Sequence, residues 1–314
     1  MIERSLSIKV EENTLSKILT NILNTNDLYM DLYFTKKGTK KYISYRPNVS
    51  CKIKYDILEM IKKFLLKKQD TELVRYSPTR YPNEGQSAFC DIDYVGNFDE
   101  VISSFNSPDE VDTKLKPADI SFYCFMISDK NKTFEYKLFR RTTKFKKLST
   151  GNILAAFFSG NELCKLSQDF FGVDGYIDLI CDNKTIYIFN NISLERIFKL
   201  KEQFTSKATE ALDIIEKAHG IANFEEFKDD CLSDSRIHKT LCKILGNIPD
   251  LDKAFENFNN IKIAIDKFDL DIEVDDENKQ LIYERKKQRK YILHIINDAY
   301  CQSIIKGRDI LNED

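Results

Sequence analysis

The side chains best suited to chemistry in this chain form an acidic group and a basic group. Asp174 and Asp178 flank the start of an apolar run within residues 172–200, GVDGYIDLICDNKTIYIFNNISLERIFKL. Two carboxylates so spaced could hold Mg²⁺ if a lysine stood beside them to steady an attacking water. Asp182 and Lys184 follow, but they fall in the turn between two strand-like runs, so the pattern of a metal-dependent nuclease is only partly met. Asp178 otherwise reads as a solvent-side or interface acid. The basic group is KLFRRTTKFKK, residues 137–147, where Lys137, Arg140, Arg141, Lys144, Lys146 and Lys147 have no acid among them and Phe139 and Phe145 are interleaved. A strand and loop so charged offer repeated phosphate contacts, each releasing counterions. The same run would equally serve as a solvated edge that discourages strand pairing with other chains.

A second cluster, Arg285, Lys286, Lys287, Arg289 and Lys290, opens the last expected helix, where cations oppose the macrodipole. It follows an acidic stretch over residues 266–277, so neutralisation across a hairpin and a bipolar docking surface are both open readings. Lys286, Lys287, Arg289 and Lys290 therefore join the first cluster as candidate DNA contacts. His219, His238 and His294 each fall on an expected helix, with no partner at metal-ligand spacing. The eight cysteines are scattered without a CxxC pair, as expected of reduced, mostly buried thiols. Dinucleotide and phosphate-loop fingerprints and the nucleophile elbow are absent. The expectation is no catalytic residue, no metal and no cofactor.

Hydrophobic periodicity sets out the elements that must position these groups. Amphipathic helices are predicted at residues 15–23 and 55–68, and hairpins at 28–34 with 41–45 and at 121–129 with 133–139. Residues 176–181 and 185–189 form a third hairpin, joined by Asp182, Asn183 and Lys184. Ser193 is placed to cap a long helix that Gly220 ends. Three shorter helices, a hairpin at 270–274 with 280–283 and a last helix at 286–299 follow. The class is α+β: antiparallel hairpins and sheet in the N-terminal and central part, then a mainly helical C-terminal part with a β-hairpin. The pattern changes near Gly151, suggesting domains of residues 1–150 and 151–314. A net charge of −2 argues against a globally basic nucleic-acid protein but leaves local patches open. The longest apolar runs are too short to span a bilayer and the N-terminus is charged, so the expected location is cytoplasmic.

With these residues in view, the chain resembles the KwaB-like family, the cytosolic component of the Kiwa anti-phage defence system. The resemblance is carried by DGYIDLI, TIYIFN and LERIFKLKEQF, by KLFRRTTKF before them, and by YILHIINDAYCQSIIKGRD near the C-terminus. It implies a protein that binds DNA, forms a homodimer, and assembles at the inner face of the membrane with a membrane-embedded partner, KwaA, without inserting itself. It implies no established enzyme activity. The ten candidate cations come from charge clustering and not from any family motif. Two other readings remain: an interaction subunit that binds no nucleic acid, and a nuclease built on Asp174 and Asp178.

Overall fold

The computed structural model describes residues 2–39, 41–109, 115, 117–142, 156–159, 162–165, 172–247, 251–303 and 307–312. Its contacts group into two compact units, residues 1–76 with 82–200 and residues 77–81 with 201–314. The boundary near residue 150 suggested by the sequence falls inside the first.

The first unit begins with α1 (Ile2–Asn24), β1 (Leu28–Lys37), β2 (Tyr42–Tyr45) and α2 (Cys51–Leu66). It continues through β3 (Glu72–Arg75), β4 (Gln86–Asp91), α3 (Phe98–Asn106), β5 (Ile120–Asp129) and β6 (Glu135–Arg141). β7 (Ala156–Ser159) and β8 (Glu162–Lys165) pair with each other, and β9 (Leu179–Cys181), β10 (Thr185–Ile188) and α4 (Asn191–Ile197) follow. Eight strands make one sheet in the order β2-β1-β5-β6-β9-β10-β4-β3, antiparallel except for the β3–β4 pair.

The central strands are apolar on both faces, as a sheet covered on both sides requires. On one face Phe125, Ile127, Leu138, Ile180 and Tyr187 pack with Ile18 and Ile22 of α1 and Ile57 and Ile61 of α2. On the other, aromatic rings link Tyr33 to Phe105 (4.9 Å), Phe105 to Phe139 (6.2 Å) and Phe139 to Phe198 (5.7 Å). These contacts tie β1, α3, β6 and the residue closing α4 into a second layer.

The three expected hairpins are present, although β1 runs through Lys36 and Lys37, where the turn of the first was expected. Asp182 Oδ1 accepts the N–H groups of Lys184 and Thr185, each at 2.7 Å. The long helix expected from Ser193 is two helices. Asn190, not Ser193, caps α4 by accepting the Ser193 N–H at 3.1 Å. The chain then breaks because Lys199 takes the left-handed conformation, φ 53°, which no continuing right-handed helix accommodates. α5 (Leu200–Lys217) starts immediately after. β3 and β4 were not foreseen: four residues, ELVR, carry little periodicity, and their register comes from the partner strand.

The second unit follows α5 with β11 (Ile221–Ala222), α6 (Phe224–Leu232), α7 (Ser235–Asn247) and α8 (Phe258–Lys267). β12 (Glu273–Asp275), β13 (Gln280–Ile282), α9 (Gln288–Ile296), β14 (Tyr300–Gln302) and β15 (Asp309–Leu311) complete it. Leu212, Ile215, Phe227, Leu241, Leu281 and Ile292 centre its core. His219 lies beyond α5 rather than on it, with φ 50°. Gly220 is required by close approach, since a Cβ there would stand 2.1 Å from the Phe255 ring. Gly246 lies within α7, one residue before its end. The chain is thus α+β, with a large, mainly antiparallel sheet in the N-terminal and central region and a helical C-terminal unit carrying a hairpin.

Candidate nucleic-acid interface

Successive side chains of a strand point to opposite faces, so the neighbours Arg140 and Arg141 on β6 part company. Arg140 shares the face of Leu138, on the side of α1 and α2. Its guanidinium grips Asp174 with two bonds, Nε to Oδ1 at 3.1 Å and Nη2 to Oδ2 at 2.9 Å. A third bond runs from Nη1 to Asp178 Oδ1 at 2.9 Å. Tyr123, opposite Arg140 on β5, donates its hydroxyl to Asp174 Oδ1 at 3.0 Å. Asp178 Oδ2 accepts the backbone N–H of Arg141 at 2.8 Å, and the Asp178 N–H donates to the Phe139 carbonyl at 2.9 Å.

Asp178 is only 3% exposed, which corrects its reading as a solvent-side or interface acid. A buried carboxylate needs compensating donors, and both of its oxygens have them. Burial works against the charge on Arg140, but its bonds to Asp174 and the field of Asp178 outweigh this and hold its pKa above the ordinary value. Burial, followed by the Asp174 charge, raises the Tyr123 phenol. The two acids that suggested a metal pair therefore share one arginine. Among the described residues no group of three or more His, Cys, Asp or Glu side chains stands together as metal ligands.

Arg141 faces the other way, toward the layer containing α4. Thr35, Phe122 and Arg141 form one row across β1, β5 and β6. Two residues further along β1, Lys37 donates its Nζ to the Arg196 carbonyl in the last turn of α4 at 2.9 Å. The Tyr42 hydroxyl donates to the Ile197 carbonyl at 2.8 Å, and Lys199 Nζ lies 4.8 Å from the Tyr42 ring centroid. The end of α4 is thereby fastened to the sheet edge formed by β1 and β2. Arg141 Nε is buried and without a hydrogen-bond partner. Burial, then repulsion from Arg196, lowers the Arg141 pKa against a smaller opposing pull from Asp178. No carboxylate among the described residues forms an ion pair with the side chains of Arg141, Arg196 or Lys199.

The other candidate cations are disposed differently. Lys137 is buried, and its Nζ pairs with Glu135 at 3.2 Å, so its charge is engaged within the sheet. Lys144, Lys146 and Lys147 lie outside the described residues. In the second unit, Lys286 pairs with Asp230 at 3.0 Å and Arg285 with Asp271 at 2.8 Å. Lys287 reaches Asp271 at 4.0 Å and Arg289 reaches Asp234 at 3.8 Å. Arg289 also donates to the Asp230 carbonyl, while Lys290 is exposed. Cations are tolerated at the start of α9 because acids stand beside them and buried Gln288 accepts the N–H groups of Glu284 and Arg285, at 2.8 and 3.1 Å. The Tyr283 hydroxyl bond, helped by Lys286, holds Asp230 below the usual carboxylate range.

A family model described as Kiwa protein KwaB-like matches residues 118–306, more than half of the chain. The chain belongs to this family. Membership gives it a role in Kiwa anti-phage defence. Comparison with curated proteins and with solved structures found no match. The region matched to the KwaB-like model includes Arg140, Arg141, Asp174, Asp178, Arg196 and Lys199. Among the described residues no helix is long and apolar enough to cross a membrane.

Sequence reasoning missed Lys37, Arg196 and Lys199. Arg196 and Lys199 are three apart in LERIFKLK, a legible basic pair. Lys37 is 159 residues from Arg196, and no local signal could join them.

Proposed function

We propose that this protein binds DNA without cleaving it, holding the phosphate backbone with weak sequence preference through Arg141 together with Lys144, Lys146 and Lys147. The observation that carries this reading is Arg141 itself: a guanidinium with a buried, unpartnered Nε, beside a second arginine and without a paired carboxylate. A planar fork of N–H donors in surplus positive field suits a phosphate oxygen pair. The net charge of −2 does not oppose it, because backbone binding depends on local charge. Arg140 and Lys137 are engaged by acids and act as framework in this reading. Lys286, Lys287, Arg289 and Lys290 supply secondary contacts, weakened by Asp230, Asp234 and Asp271. Family membership supports a homodimer that is cytoplasmic and held at the inner face of the membrane by a membrane-embedded KwaA-like partner.

A gel-shift titration of a DNA duplex at rising salt tests the reading. Affinity should fall steeply, with a log–log slope of about 0.9 per phosphate neutralised, and DNA incubated with Mg²⁺ or Mn²⁺ should stay intact. Absence of binding at low salt would leave the interaction-subunit reading. That alternative gains if charge reversal across Lys286–Lys290 abolishes oligomerisation. Cleavage lost on Asp178 substitution would instead restore the nuclease.

A further inference from the structure

We infer that Arg196 and Lys199, which lie outside the basic run, join Arg141 in a phosphate subsite, fastened by Lys37, that takes a phosphodiester of bound DNA. This deepens the DNA-binding reading and rests on it. The four residues come from three places in the chain. Arg141 ends β6, Lys37 ends β1, and Arg196 and Lys199 occupy the last turn of α4 and the residue after Phe198. The Lys37–Arg196 and Tyr42–Ile197 bonds, of 2.9 and 2.8 Å, bring them to one end of the sheet.

The plain alternative is that these cations only complement the carbonyl end of α4, where positive charge is favourable. Three of those carbonyls are already served. Lys37 takes the Arg196 carbonyl, Tyr42 takes that of Ile197, and the Phe198 N–H takes that of Leu194 at 3.1 Å. Arg196 is exposed and is not required for that task. The left-handed conformation of Lys199, φ 53°, is one that glycine adopts without strain, yet a lysine stands there with its ammonium against the Tyr42 ring. The charge of Arg196 acts on Arg141, and like charges at a partly desolvated edge repel more strongly than in water. A phosphate held by Arg196 and Arg141 offsets that repulsion.

The test uses the full-length protein and a fluorescently labelled duplex, followed by anisotropy from low to moderate salt. The variants are Arg196→Ala and Lys199→Gly, the latter keeping the backbone conformation while removing the charge. Lys63→Ala, an exposed residue of α2, is the control. Each of the first two should weaken binding roughly five- to tenfold and reduce the salt slope by about 1, with the control unchanged and melting temperatures close to wild type. Wild-type binding with a steep slope that neither variant alters overturns the subsite and leaves the DNA reading intact. Weaker binding with an unchanged slope assigns the loss to altered structure and also overturns it. If the wild type binds no DNA at low salt, the DNA reading fails and the subsite falls with it.

Discussion

Arg140 and Arg141 are adjacent in sequence, yet the pleat of β6 sends one into a cage of two carboxylates and a tyrosine and the other to the α4 side without a carboxylate partner. Asp178 links the two, because one oxygen holds the Arg140 guanidinium and the other holds the Arg141 backbone N–H. Removing Asp178 takes the buried partner from Arg140 and leaves the Arg141 N–H unpaired, so Asp178→Ala should cost about 3–5 kcal/mol. Asp174 is 46% exposed at its side chain, and Asp174→Ala should cost only about 1 kcal/mol, near the upper end for exposed pairs. Denaturant midpoints followed by circular dichroism would rank the two, and equal losses would show that burial does not set the energetics of this cage. The sequence made both aspartates conspicuous but hid their role. Arg140 lies 34 and 38 residues before them, and only strand pairing inserts it between them.

The elements were legible where neighbours decide them. Alternating apolar residues and the short acidic or amide turns specify the hairpins, since both signals lie within a few residues. The division of one expected helix into α4 and α5 was not legible: Lys199 has no local reason for φ 53°, and the break is set where Phe198 docks against Phe98 and Phe139, 5.7 Å from each. The approach of α2 to the segment before β9 is similarly tertiary. A Cβ on Gly175 would lie 2.4 Å from Met60 Cβ and 2.6 Å from its carbonyl carbon, so helix backbone would have to move. Gly175→Ala should therefore destabilise the protein by about 1–3 kcal/mol. A thermal melt at the wild-type temperature would show that this contact is looser than its geometry.

Across the whole molecule, the cysteines divide by burial rather than by spacing. Among the described side chains, Cys51 and Cys301 are exposed, whereas Cys90, Cys124, Cys181, Cys231 and Cys242 are buried thiols. Burial pushes Cys90 and Cys231 up to about 12, so at pH 8 they hold almost no reactive thiolate. Alkylation mapped by mass spectrometry should label Cys51 and Cys301 rapidly and the five buried thiols only after unfolding. Prompt labelling of Cys124 or Cys181 would mean that the central sheet opens in the native state. By itself the sequence determined the α+β class, the hairpins, the resemblance carried by their motifs, and the presence of dense basic runs, because period, turn chemistry and local charge are short-range properties. The tertiary structure decided which of those charges are engaged, pairing Arg140 with Asp174 and Asp178 and Lys286 with Asp230, and fastening Arg196 to Lys37. An ion pair depends on separation in space, and here strand order and helix docking set that separation between segments far apart in the chain.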